Sequence, residues 1–396
     1  MATLTRPTNP PTEATAATDR TGSTPAIDWR EVVRWAALGV LVLVMVVLVD
    51  IHRNGGNNPV SLIQPGIQGP ATQLFEQDFP TIEQPDSRGL DGQMYYAIAR
   101  DPIHLDETSE HLDGPRYRFQ RPLLSWAAWA LHPTGGGLPL VYALVVVVLA
   151  GVLLGAVATG ALSQTLRGPA WLAALFPVLP GAYWSLRVTV SDALALGLAL
   201  TAVALAARSR HAPAIAVGVL AVLAKEPAIL VLVGWALWRR NRRDALLVVV
   251  PALVIVTWMA WLHIQLPDGT TQSRDLGLPL EGLVDAWRLQ WSHGQELVGM
   301  ACTVGGLVIG GAALAVRGLR HPLGWTVAVQ LGFMLAMQVN PTAMNFGGTR
   351  MAMPVMVLGG IALLTPHAAS AGGGGAAVWS PPWAPTLRRR PVPKPA

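Results

Sequence analysis

Long apolar runs dominate the chain, and short arginine-bearing or acidic segments interrupt them. A helix crossing a ~30 Å hydrocarbon layer needs about 20 residues at 1.5 Å rise per residue. Apolar stretches of that order lie at 32–49, 139–163, 169–186, 190–207, 245–264, 297–316, 322–339 and 351–366. The stretch 212–238 is also long enough, but Lys225, Glu226 and Pro227 interrupt its middle. Proline removes a backbone donor, and two adjacent charges at mid-bilayer are costly. We therefore read two short helices, 212–224 and 226–238, meeting at a polar turn. The pattern predicts an all-α, polytopic membrane helix bundle of about ten passes.

Arginine sets the orientation, because cytoplasmic loops carry the excess of basic residues. With the N-terminus inside, the inner loops hold Arg167, then Arg208 and Arg210, then Arg239, Arg240, Arg242 and Arg243, then Arg317 and Arg320. The two long outer loops, 50–138 and 265–296, are acid-rich; the second includes Asp268, Asp275, Glu281, Asp285 and Glu296. Every loop obeys the rule once 212–238 is split. Residues 1–31, rich in Thr, Pro and Ala, and the Gly-, Pro- and Arg-rich residues 367–396 read as disordered cytoplasmic tails around a membrane domain over 32–366. The run 32–49 starts too far in for a signal peptide and reads as a retained anchor. This arrangement brings several polar groups to the outer surface: the first acidic loop, Arg187 with Asp192, Lys225 with Glu226, the second loop, and Asn345 with Arg350. Ionisable residues at membrane depth mark functional sites.

Composition agrees with lipid solvation. Of 396 residues, 52% are hydrophobic and 13% charged, against about 25% charged in a soluble domain. The basic pI near 9.9 comes from residues spread over short loops, so no nucleic-acid surface is expected. Cys302 is the one cysteine, which excludes an intrachain disulfide. His104, His111 and His293 lack metal-ligand spacing. Gly305-Gly306 and Gly310-Gly311 lie mid-span and read as helix packing. No phosphate loop or dinucleotide fingerprint is present.

The first outer loop looks ordered in its second half. Residues 92–99 are amphipathic at helical spacing, with Met94, Tyr95, Ile98 and Ala99 on one face, and Asp91 stands where a carboxylate caps a helix. The run 123–131, between Pro122 and Pro133, is too short to span and reads as an interfacial or re-entrant helix with Trp126 and Trp129 at headgroup depth.

At these residues the chain resembles a known family. Asp91-Gly92-Gln93-Met94-Tyr95-Tyr96-Ala97-Ile98-Ala99-Arg100 is similar to the W-D-G-x-x-Y-x-x-I-A segment in the first outer loop of GT-C fold glycosyltransferases. The likeness is to the mannosyltransferase-like group that includes the GPI mannosyltransferase II family and its bacterial relatives. Three further segments follow in that family's order: Arg118-Phe119-Gln120-Arg121-Pro122, residues 180–200 with Ser191-Asp192, and Lys225-Glu226-Pro227. Leu90 replaces the family's Trp, Asp101-Pro102 replaces Gly-Tyr, and Asp192 stands where Glu is usual.

The resemblance implies a GT-C-like transferase of a bacterial cytoplasmic membrane, its site facing outward. It implies a polyprenyl-phosphate sugar donor and a glycan, lipid or protein acceptor. Asp91 is the implied general base; Asp78 and Glu76 are alternatives for that role or for holding a divalent cation, Mg or Mn. The implied substrate-binding set is Gln93, Tyr95, Arg118, Arg121, Asp192, Lys225, Glu226 and Arg350, with Lys225 and Arg350 on the donor phosphate. The bland readings are a local Lys225–Glu226 ion pair and an Arg187–Asp192 pair. A transporter or flippase of a lipid-linked sugar is the rival function; such proteins carry midplane charges and an internal repeat, and no repeat is visible here.

Overall fold

The computed structural model describes residues 26–266 and 276–365. Asp268, Asp275 and most of both tails lie outside the described residues. Among the described residues all regular structure is helical, apart from one antiparallel bridge between Leu276 and Met337. The first membrane-length helix is α1 (Trp29–Asn54). The first loop then folds into α2 (Thr72–Asp78), α3 (Gly92–Arg100), α4 (Leu105–Ser109), α5 (Pro115–Phe119) and α6 (Pro122–Leu131). Next come α7 (Leu138–Thr165), α8 (Leu175–Val178), α9 (Pro180–Arg187), α10 (Asp192–Ala207), α11 (His211–Ala224), α12 (Ile229–Arg239) and α13 (Arg242–Gln265). The described residues close with α14 (Glu281–Leu289), α15 (Leu297–Arg317), α16 (Gly324–Leu335), α17 (Val339–Ala343) and α18 (Asn345–Leu364).

Five of these helices, α1, α7, α13, α15 and α18, are long and apolar enough to cross a membrane. Their burial explains what solvates them. The buried residues of α1 are Val32, Ala36, Gly39, Leu43 and Val47, a single stripe at steps of three and four. Its other faces are as apolar, with Leu41 and Met45 more than half exposed. A helix apolar all round but packed along one stripe is suited to lipid, and α13 and α15 show the same imbalance. These are the surfaces of a membrane protein. By contrast α7 and α18 are mostly enclosed, α7 packed on α10 and α18 on α15. The α7–α10 approach depends on glycine: a Cβ on Gly197 would lie 2.4 Å from the Gly151 carbonyl oxygen. Small residues let helix backbones come this close in a bundle.

The stretch 212–238 is two helices. α11 ends at Ala224, Lys225 is extended (φ −163°, ψ 128°), and a single 3₁₀ turn over Glu226–Ala228 leads into α12. The stretch 169–186, expected as one helix, is three short pieces: a 3₁₀ turn over Ala170–Ala174, then α8 and α9. Prolines are the cause. Leu179 precedes Pro180 and is extended (φ −71°, ψ 140°), the conformation a following proline imposes. Apolar length alone concealed that break.

The first loop has its own core. Phe75 and Tyr96 stack with ring centroids 5.0 Å apart, and Phe79 lies against both. The Tyr96 hydroxyl donates to Asp78 at 2.7 Å and accepts from the Gly137 N–H at 2.6 Å, while Arg100 pairs with Asp78 at 2.9 Å. These bonds tie α2, α3 and the start of α7 together. The run 123–131 is a helix, α6, with Trp126 edge-on to Trp258 of α13.

Candidate functional site

Five segments deliver charged side chains to one place. Asp91 stands at the start of α3, where Gly92 sets the spacing: a Cβ there would lie 2.2 Å from the Val188 carbonyl oxygen. That contact holds the start of α3 against the turn between α9 and α10. In this turn Thr189 adopts φ 51°, and its hydroxyl donates to the Leu62 carbonyl at 2.9 Å. A non-glycine residue in the left-handed region persists where its surroundings over-determine it, and here it aims Ser191 and Asp192 at α3. The Tyr95 and Ser191 hydroxyls bond at 2.8 Å across the junction. Burial pushes the Tyr95 phenol up to about 12, so it remains a protonated donor.

Asp91 does not use its side chain as a helix cap. Its backbone is helical (φ −55°, ψ −27°) and its carboxylate makes no cap bond. Instead Oδ1 accepts from Arg118 Nη1 at 2.8 Å, and Oδ2 lies 3.7 Å from Arg350 Nη1. A guanidinium offers a stronger, charge-assisted bond than a peptide N–H does. Burial raises the Asp91 carboxyl, but Arg118, Arg350 and Lys225 together hold it below its ordinary value. A third of the side chain is exposed (33%), so the carboxylate is ionised and reachable.

Asp192 is the hub. Its Oδ1 accepts from Lys225 Nζ at 2.6 Å and its Oδ2 from Arg350 Nη1 at 3.2 Å. With only 12% of its side chain exposed, it acts as an anchor for two cations. The expected Arg187–Asp192 pair is absent: Arg187 bonds to Asp50 at the end of α1 and donates to the Ser61 carbonyl at 2.6 Å. The local Lys225–Glu226 pair is also replaced. Extended backbone turns successive side chains to opposite sides, so Lys225 reaches Asp192 while Glu226 accepts from Arg121 Nε at 3.1 Å. The Arg121 guanidinium also sits 4.3 Å from the Tyr117 ring centroid, within cation–π range.

Of the residues singled out in the sequence, Asp91, Tyr95, Arg118, Arg121, Asp192, Lys225, Glu226 and Arg350 meet in this network. Three do not. Gln93 is buried among the residues before α3, its amide donating to the Arg88 carbonyl at 2.7 Å. Asp78 is committed to Tyr96 and Arg100. Glu76 is exposed on α2. Among the described residues no group of three or more His, Cys, Asp or Glu is arranged to hold a metal ion.

The sequence reading missed Asp113, whose carboxylate takes two bonds from Arg118 at 2.7 and 2.9 Å. It also missed the cavity beside the network. This space of about 60 Å³ has Asp192, Lys225 and Arg350 at its polar end and Val231, Phe333 and Pro354 among its apolar walls. Gln330 lines it too; an amide within the apolar run of α16 was the available signal.

Compared with protein families, curated proteins and solved structures, the chain matches none. The network balances four carboxylates (Asp91, Asp113, Asp192, Glu226) with four cations (Arg118, Arg121, Lys225, Arg350). The cavity's lining carries two of these cations, Lys225 and Arg350, and one of the carboxylates, Asp192; the second carboxylate beside Arg350, Asp91, lies at 3.7 Å. Cations lining a low-dielectric pocket favour an anionic group there.

Proposed function

We propose that the protein is an inverting GT-C-type membrane glycosyltransferase with about ten passes. Its donor is a polyprenyl-phosphate sugar in the outer leaflet of a bacterial cytoplasmic membrane, and its acceptor is an extracytoplasmic glycan, lipid or protein. The observation that carries this reading is the cavity that joins a pair of cations to apolar walls, with the reachable Asp91 carboxylate 3.7 Å from one of those cations. A lipid phosphate has the same two-part character, an anionic head on an apolar tail.

In this reading Lys225 and Arg350 hold the phosphate, and Asp192 fixes both cations. The acceptor oxygen attacks the anomeric carbon while its proton passes to Asp91. The old bond from that carbon to the phosphate oxygen breaks, and its electron pair leaves on the phosphate, where the two cations stabilise the growing charge. One displacement inverts the anomeric centre.

Asp91→Asn is the informative change, because the arginines it abandons keep other carboxylates: Arg118 retains Asp113 and Arg350 retains Asp192. The fold should survive. Transfer should fall by roughly a hundred- to ten-thousandfold, the usual contribution of a general base. The measurement is mass spectrometry of cell-envelope glycans from a deletion strain complemented with wild-type or Asp91→Asn protein, paired with a transfer assay on membranes. Restoration of the missing sugar by Asp91→Asn at the wild-type rate would remove Asp91 from the chemistry. Deletion-strain membranes that still transfer the sugar in the assay, while the lipid-linked sugar accumulates on the inner leaflet in cells, would make the protein a transporter.

A further inference from the structure

We propose that Gln330 is a ligand-contacting residue of the cavity, donating its carboxamide N–H groups to the oxygens of the phosphate that Lys225 and Arg350 hold. The inference rests on the reading that the cavity takes a lipid phosphate.

Gln330 lies in the middle of α16, and only 3% of its surface is exposed. It lines the cavity together with Lys225 and Arg350. Among the described residues nothing forms a hydrogen bond with its side chain. A carboxamide offers two N–H donors and a two-lone-pair oxygen, and at Gln330 these are left to face the cavity. The neighbouring wall gives no alternative, since Val231, Phe333, Met353 and Pro354 are apolar there. A carboxamide that meets no protein partner and borders the cavity is placed for a partner that comes and goes.

Depth agrees with this. Gln330 is five residues before the end of α16, and Arg350 is five residues after the start of α18. At 1.5 Å per residue both backbones sit about 7–8 Å inside their helices. Those two helix ends are joined by the short segment containing α17, so they share one side of the bundle. The cavity of about 60 Å³ is roughly four times the least space a water needs, room for a phosphoryl group with its oxygens. The amide and the Arg350 guanidinium therefore border the cavity at the same depth, one from α16 and the other from α18.

The test uses the purified full chain in detergent, comparing wild type, Gln330→Met and Arg350→Gln by calorimetric titration and by thermal unfolding without ligand. The probes are farnesyl phosphate, inorganic phosphate and farnesol. Methionine keeps the length and removes both N–H donors and the carbonyl oxygen, so ligand-free Gln330→Met should melt at or above the wild-type temperature, as expected of a residue kept for function and not for stability. Its affinity for farnesyl phosphate should fall roughly tenfold or more, the loss expected for a bond to a charged group, and farnesol should bind no variant. Wild-type affinity for farnesyl phosphate in Gln330→Met would overturn the inference, and so would a lowered melting temperature, which marks a structural amide. If wild type binds inorganic phosphate as tightly as farnesyl phosphate and Gln330→Met weakens both, Gln330 keeps its role and the lipid-donor reading falls. If wild type and Arg350→Gln alike ignore farnesyl phosphate and inorganic phosphate, both readings fall together.

Discussion

At Asp91 a single carboxylate meets two guanidinium groups, and its protonation follows from them. Arg118 at 2.8 Å and Arg350 at 3.7 Å favour the charged form more than burial disfavours it. Because the carboxyl is held below its ordinary value, the base stays ionised as the pH falls and is lost only below the usual carboxylate range. The acid limb of kcat/KM against pH should therefore lie below that range in wild type. Removing the nearer cation with Arg118→Gln lets the carboxyl rise, so the limb should move to higher pH; an unmoved limb would mean that another group sets it. Part of this was legible from the sequence, because ionisable residues in an apolar chain are conspicuous: Asp192, Lys225, Glu226 and Arg350 stood out in this way, whereas Asp91, one acid among many in its loop, was singled out by the family resemblance. Their partners did not. Sequence proximity suggested Lys225 with Glu226 and Arg187 with Asp192, whereas the bonds run from Lys225 to Asp192 and from Arg187 to Asp50. Asp78 and Glu76 shared the acidic look of Asp91, and only the position of Tyr96 and Arg100 separates Asp78 from it.

The elements themselves divide along the same line. The break between α11 and α12 could be read because charge and proline coincide at 225–227, while the break before α9 could not, since Pro177 and Pro180 sit in a stretch of unbroken hydropathy. The ends of α11, α12 and α13 meet at a second buried acid that no pattern announced. Asp244, with no exposed surface, accepts from Trp235 Nε1 at 3.1 Å and from Arg239 at 3.3 Å, bonds to Asn241, and lies 3.9 Å from His211. Asp244→Ala leaves these donors facing nothing, and the cost should be about 3–5 kcal/mol, as for other buried pairs broken on one side. Asn241→Ala, which chiefly removes the cap on the Asp244 N–H, should cost about 1 kcal/mol. Thermal unfolding of the solubilised variants distinguishes these; equal losses would show that Asp244 is not the junction's anchor.

For the whole molecule, arginine placement and the chain breaks make one topology testable. Single-cysteine labelling or reporter fusions should place residues 60–130 outside and 239–244 inside, and labelling of the 239–243 loop from outside in intact cells would refute the ten-pass arrangement. Helix lengths leave the count open, since α6, α10, α11 and α16 are apolar but shorter than the five long helices. The hub at Asp192 carries one more implication, which concerns the order in which the protein is made. Lys225 follows Asp192 by 33 residues, whereas Arg350 follows it by 158. At about 5–20 residues per second, the first counter-ion leaves the ribosome within seconds and the second on the order of ten seconds or more later. Asp192 and Asp91 thus wait, each with one early partner, until the last helix arrives. A nascent chain has a half-built pocket, and insertion of α18 is the event that completes it.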